Sequence, residues 1–184
     1  YNVTSNTGML TVTQHDLTVI PADKTKVYGT TFTAFTGSLV GLQNSDPITV
    51  TYSSPGAPAG AAVGAHLITA TLNDPSGRLA NYNVNLNTGT LDVTHATPTI
   101  ALTSDNNPAG VADPITFTAT VTSTVGTPTG TVTFFDGANA LSTVPLAGGI
   151  ATLTTSTLPT GLHTITAVYN GDVNYLSGTS APYI

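Results

Sequence analysis

Apolar and polar residues alternate with a period of two along most of this chain. Ile115, Phe117, Ala119 and Val121 are interleaved with Thr116, Thr118, Thr120 and Thr122, which gives one strand an apolar face and a threonine face. Ile48-Val50-Tyr52, Leu91-Val93, Val132-Phe134 and Ile165-Ala167-Tyr169 repeat the pattern. Threonine suits the outer face, because its β-branch favours extended backbone and its hydroxyl tolerates water. Turn signals separate the runs: Ser54-Pro55-Gly56, Asp74-Pro75-Ser76-Gly77, Asp136-Gly137 and Asn170-Gly171-Asp172. Their spacing is that of short strands in a sandwich, and helical periodicity is convincing nowhere. The pattern predicts an all-β chain of two tandem antiparallel β-sandwich-like modules.

One stretch occurs twice. Tyr1–Thr13 reads YNVTSNTGMLTVT and Tyr82–Thr94 reads YNVNLNTGTLDVT, with nine of thirteen positions identical. Such copies mark an array of similar modules. The second copy closes a module over residues 14–95, and residues 96–184 form another. The first copy, residues 1–13, is then expected to be the closing strand of a preceding repeat, an orphan or a donor strand. A length of 184 residues suits two domains, each with its own small core. Pro98 fixes its own φ and biases Thr97 towards extended backbone, so the junction His95-Ala96-Thr97 reads as a short rigid linker. At about 3.3 Å per strand residue, two modules end to end would span on the order of 70–90 Å. A second echo pairs Gly64–Ala70, GAHLITA, with Gly161–Ala167, GLHTITA.

Composition narrows the function classes. Charged residues are 7% of the chain and the net charge is −6, with Lys24, Lys26 and Arg78 the three cations. Binding to nucleic acid needs clustered Lys and Arg, and so does a polybasic route to an anionic membrane. Neither partner is expected. No apolar run approaches the roughly 18 to 20 residues of a membrane helix, so no membrane insertion is expected. All nine acids are Asp, Cys is absent, and disulfides and thiolate metal sites are excluded. Threonine, about a fifth of the residues against ordinary usage, must keep the surface wet together with Ser and Asn. That is unusual for a cytosolic protein.

From about Thr97 the chain resembles a group 3 bacterial immunoglobulin-like domain, through PITFTATVT (Pro114–Thr122), GTPTGTVTFFDG (Gly126–Gly137) and ATLTTSTLPTGLHTITAVYNGDVNY (Ala151–Tyr175). Leu17–Thr94 resembles the MBG (mostly-beta, glycine-rich) or YDG-type repeats of bacterial surface proteins, through LTVIPADKTKVYGTT (Leu17–Thr31), VGAHLITATL (Val63–Leu72) and NYNVNLNTGTLDVT (Asn81–Thr94). The resemblance implies a multi-domain protein at the bacterial cell surface or outside the cell, with these modules as stalk or adhesin repeats and no catalytic site to carry over. The family pattern continues past Ser180-Ala181-Pro182 into a last strand, whereas the sequence stops at Ile184. The final strand of the second sandwich is therefore expected to be truncated.

Candidate chemistry is sparse. Metal binding needs two or three imidazoles converging with carboxylates, but His15, His66, His95 and His163 fall at separate strand ends. His66 and His163 are expected to be structural, a ring nitrogen of each bonded to a loop carbonyl where immunoglobulin-like sandwiches place a corner tyrosine. Tyr28, Gly29 and Tyr169 are expected to be structural too. Asn170, Asp172 and Asn174 offer oxygens at alternating positions, of the type a Ca²⁺ site uses, and Asp105 lies in a second such loop. Both lack the bidentate Glu of a full calcium loop, so the expectation is turns bonded to their own backbone and no cofactor. Lys24 and Lys26 flank Thr25 and so share one face of an extended strand; the expected role is that of edge-strand lysines, and one turned inward would offer the amine that a Lys–Asn crosslink needs. Leu10 and Val12, with Tyr1 and Val3, form the expected donor strand, whose backbone would seek a sheet edge. The expected function is a non-enzymatic structural repeat, a stalk, spacer or adhesin segment partnered by neighbouring repeats. The alternatives are a filament subunit joined head-to-tail into a homopolymer by strand addition, and a carbohydrate- or protein-binding module.

Overall fold

The computed structural model describes Tyr1 and residues 8–184 of the chain. Val3, one of the expected donor-strand residues, lies outside the described residues. Extended strands dominate, and the one helical element described is a single 3-10 turn at Leu79–Asn81. The strands fall into two compact units, neither continuous in sequence: residues 1–24, 33–55 and 66–91 form the first, and residues 25–32, 56–65 and 92–184 the second.

The first unit is built on β1 (His15–Pro21), β3 (Gly37–Val40) and β6 (Tyr82–Leu86), in sheet order β3-β1-β6. β1 runs antiparallel to β3 but parallel to β6, with His15 opposite Tyr82 and Val19 opposite Leu86. A second sheet takes the order β2-β7-β5-β4, from β2 (Lys24–Val27), β4 (Thr49–Ser53), β5 (Gly64–Asn73) and β7 (Gly89–Thr94). Alternation decides what is buried. Leu17 and Val19 of β1 are fully buried between exposed or half-buried neighbours, as are Ile68 of β5 and Leu91 of β7. Leu17, Ile48 and Tyr82 form a cluster against Leu39, Leu72 and Leu79. Each such side chain contributes roughly 1.5–3 kcal/mol by leaving water. The Tyr82 hydroxyl stays satisfied, donating to the Asp46 carboxylate at 2.7 Å and accepting the Gln43 N–H at 3.0 Å.

The second unit holds an antiparallel sandwich. One sheet has the order β11-β10-β13-β14, from β10 (Thr131–Asp136), β11 (Asn139–Pro145), β13 (Ile165–Tyr169) and β14 (Gly178–Thr179). The other has the order β12-β9-β8, from β8 (Thr99–Ser104), β9 (Ile115–Thr122) and β12 (Ile150–Thr155). Phe117, Ala119 and Val121 of β9 meet Val132 and Phe134 of β10 and Ile165, Ala167 and Tyr169 of β13 in one core. The threonines of the other face pair across strands, Thr133 with Thr143 at 2.9 Å and Thr116 with Thr154 at 3.1 Å between hydroxyl oxygens. A bulge between Phe134 and Phe135 shifts the register, leaving Phe134 buried and Phe135 half-buried.

β14 spans two residues, and past Pro182 the described pairing is one isolated bridge, at Tyr183. β14 pairs with β13, Ser180 N–H donates to Ala167 O, and Tyr183 and Ile165 exchange both backbone bonds. Pro182 lies within this stretch. Its missing N–H falls between the two donors that the ladder uses, at Ser180 and Tyr183, so pairing survives it. That edge of β13 is therefore taken by the chain itself. Residues 8–14 are outside any strand, and Leu10 and Val12 are exposed.

Tyr169 is wholly buried, and its hydroxyl makes no hydrogen bond of ordinary geometry among the described residues, although the Asp172 carboxylate lies near enough to act on it. Burial, with the charge of Asp172 adding to it, pushes the phenol far above its ordinary pKa. A buried hydroxyl without a partner costs free energy that a phenyl ring does not. Tyr169→Phe is accordingly expected to leave stability unchanged or to raise it by about 1 kcal/mol, read from the denaturation midpoint; a loss of more than that would mean that the hydroxyl is bonded.

Candidate functional site

The groups able to do chemistry gather at the two ends of the second unit. At one end, the loop from β8 to β9 and the loop from β12 to β13 border a cavity of about 290 Å³ lined by Asn106, Pro108, Val111, Leu158, Leu162 and His163 among others. Short-range bonds shape these loops. Asp105 Oδ1 accepts the Thr116 N–H at 2.7 Å, Asp113 Oδ2 accepts the Gly110 N–H at 3.0 Å, and Asn107 Nδ2 donates to Ile184 O at 2.9 Å. The Asn107-Pro108 peptide bond is cis.

His163 joins one of these loops to a strand. Its Nε2 lies 2.8 Å from Pro159 O and its Nδ1 lies 2.7 Å from the Asp136 carboxylate. Carbonyl and carboxylate oxygens only accept, so each ring nitrogen must carry a proton and the ring is an imidazolium. The Pro159 carbonyl first, then Asp136, raise its pKa above the ordinary value, while burial works against them. His66 stands half-buried on β5, outside this cluster. His15 contacts Gln43 across 3.1 Å and His95 is exposed. The four imidazoles are not brought together, and no group of three metal-ligating side chains occurs among the described residues.

At the other end of the unit, Asp172 organises the loop after β13. Its Oδ1 accepts the N–H groups of Asn174 and Tyr175 at 2.8 and 2.9 Å, and its Oδ2 accepts the Thr129 N–H and hydroxyl at 2.9 and 2.6 Å. Burial works to raise the Asp172 pKa, but those bonds outweigh it and hold the carboxyl below the ordinary range. Asn170 turns its Nδ2 to the hydroxyls of Thr131 and Thr133 at 2.8 and 3.1 Å. Both oxygens of Asp172 are thus committed to the protein's own donors, and Asp105 sits at the far end of the unit. The four candidate calcium ligands do not form one cluster.

Near Asp172, Tyr28 meets Tyr175 edge to face, with ring centroids 5.7 Å apart at 77°. Gly29 has a φ of +82°, and a Cβ there would lie 2.1 Å from Val125 Cβ. Only glycine fits on both counts. Lys26, buried on β2, donates to the carbonyls of Thr30 at 2.9 Å, Ala57 at 3.4 Å and Pro58. Its loss of water lowers its pKa. The lysine thus turns inward to three carbonyls, which form no amide with an amine. Sequence reading missed the Lys26 clasp and the Asp136 partner of His163. The Asp136-Gly137 turn was visible, but nothing in local spacing signals a contact between residues that far apart in the chain.

Residues 17–92 match the family model of the MBG domain (YGX type), and residues 102–184 match that of the bacterial Ig-like domain (group 3). The chain is an MBG domain followed by a group 3 bacterial Ig-like domain. Domains of these kinds are typical of repeats in bacterial surface or extracellular proteins, and they are typically non-catalytic. A structure of the fibronectin(III)-like modules of Clostridium thermocellum CbhA is similar at 17% identity and a TM-score of 0.39, over 88% of this chain and 91% of that one. A search of curated proteins found no match. No helix among the described residues is long and apolar enough to cross a membrane.

Two outcomes follow from the Ig-like domain and from Lys26. The contribution of His163 should be fully present below the imidazole's ordinary pKa of about 6.5 and lost as pH rises through the higher folded value. The denaturation midpoint should fall across that window, and His163→Ala should abolish the fall. The intact mass should equal the formula value, since Lys26 remains a free amine; a mass short by one ammonia would reveal a crosslink.

Proposed function

We propose that this chain is a non-enzymatic, force-bearing spacer within a bacterial surface or extracellular protein. The carrying observation is the direction of one strand pair. β1 opens the MBG module and β6 lies near its end, and the two run parallel through five register positions. In a parallel pair, the start of one strand and the end of the other lie at opposite ends of the ladder. Tension between those points loads every rung together, so no rung can open before the rest. A short version recurs in the Ig-like domain, where Ala96 is bridged in parallel to Tyr175 through Ala96 N–H to Asn174 O and Leu176 N–H to Ala96 O. Resistance of this kind is a property of the unfolding rate, which is what a stalk under shear requires.

The side chains support the reading. His163 spends both ring nitrogens, Asp172 both carboxylate oxygens and Lys26 its ammonium on holding loops and strands. Groups so engaged serve geometry rather than turnover.

The chain has no Cys, so pairs of single thiols can serve as handles. Pulling through Gln14→Cys and Thr88→Cys shears β1 against β6. Pulling through Gln14→Cys and Asn81→Cys instead unzips the same pair from its His15–Tyr82 end. Single-molecule stretching should give a severalfold higher unfolding force for the first pair of handles. Equal forces would end the proposal.

A further inference from the structure

Residues Gly8–Thr13 copy β7 in sequence but not in environment. In sheet order β7 lies between β2 and β5, with neighbours on both sides, and its Leu91 and Val93 are 0% and 1% exposed. Their counterparts Leu10 and Val12 are 90% and 85% exposed. The way the two copies differ is informative. Within Tyr82–Thr94 the buried positions are Tyr82, Gly89, Leu91 and Val93, and all four are unchanged as Tyr1, Gly8, Leu10 and Val12. The changed positions are Asn85, Leu86, Thr90 and Asp92, replaced by Thr4, Ser5, Met9 and Thr11. Three of these are exposed in the MBG domain and Thr90 is half-buried. Variation has thus spared every side chain that must fit a core.

Gly89 sharpens the point. A Cβ there would stand 3.1 Å from Pro21 O and 3.3 Å from Asp23 Oδ1, a tight approach that Gly8 would meet in an equivalent setting. Tyr82 reaches the Asp46 carboxylate through its hydroxyl, a contact that Tyr1 could repeat only against a second Asp46.

We propose that Gly8–Thr13 is a spare β7, made to fill the gap between the β2 and β5 counterparts of another copy of this MBG module. The partner is specific. An ordinary sheet edge offers one side, whereas this strand carries the residues of a position bonded on two. The inference rests on the repeat and its burial, not on the force-bearing reading, and either can fail without the other.

The test places a second copy of the module ahead of Tyr1. Residues 14–81 placed directly ahead of Tyr1 recreate the Asn81–Tyr82 junction. Hydrogen exchange should then show the backbone amides of Leu10 and Val12 slowed by on the order of a hundredfold or more relative to the unextended chain, as for a strand within a cooperative unit, together with those of the added copy. Introducing Leu10→Asp and Val12→Asp into the extended chain should return the added copy to open-chain exchange while residues 15–184 of the original chain keep their protection. An added copy that exchanges as open chain without these substitutions, or that folds equally well with them, overturns the proposal.

Discussion

Short carboxylates capturing backbone N–H groups hold the turns of this chain in place. Asp23 takes the Thr90 N–H at 2.7 Å, Asp74 the Leu79 N–H at 2.8 Å, Asp105 the Thr116 N–H and Asp113 the Gly110 N–H, while Asp172 takes three backbone donors and one hydroxyl. A sandwich needs many sharp connections, and each leaves backbone donors outside the ladders that must find acceptors. Asp74, Asp113 and Asp172 reach such donors from within their own turns, while Asp23 and Asp172 also tie their turns to the distant Thr90 and Thr129. Glutamate, one methylene longer, would lose more rotamer freedom in doing so. A chain with nine Asp and no Glu thus has a physical reason for its lopsided acid content. The N–H groups hold the Asp74 carboxyl below its ordinary pKa, the Leu79 N–H most of all, and the charge stays where the turn requires it.

The rarer cations follow the same logic with the signs reversed. Lys26 gathers carbonyls from two loops, and His163 spans a carbonyl and a carboxylate. A surface with so few charges does not rely on exposed ion pairs, which are worth little singly. It places its few ionised groups where several backbone partners converge. The threonine faces do the remaining solvation, and their hydroxyls bond to one another across strands.

The strands were legible because period-two alternation and burial are the same fact seen twice. Phe117, Ala119 and Val121 are buried, and each lies beside a threonine on the opposite face. Direction was not legible. Nothing in the apolar pattern of β1 and β6 distinguishes a parallel from an antiparallel pair, because alternation is blind to which way the neighbour runs. The pairing of Ser180 and Tyr183 with β13 was not legible either, because it depends on which residues the fold sets opposite them. Lys26 illustrates a third kind of gap. Alternation puts Lys24 and Lys26 on one face of β2, but only the fold supplies the carbonyls that receive Lys26.

The family limits and the packing limits of the chain do not coincide. Residues 25–32 and 56–65 lie within the MBG match, yet they belong to the same compact unit as the Ig-like domain. The Tyr28-Gly29 turn shows why. The Tyr28 ring packs on Tyr175, and the missing Cβ of Gly29 leaves room for Val125. Within the MBG signature these two residues look like an ordinary turn with a tolerated aromatic. In the structure they supply a ring and a gap to the Ig-like core, which makes the tyrosine a packing residue and the glycine a steric requirement. A module boundary drawn from sequence marks where one family pattern stops. The limits of the compact units are drawn by packing, and they fall within strands β2, β5 and β7 rather than at the linker His95–Thr97.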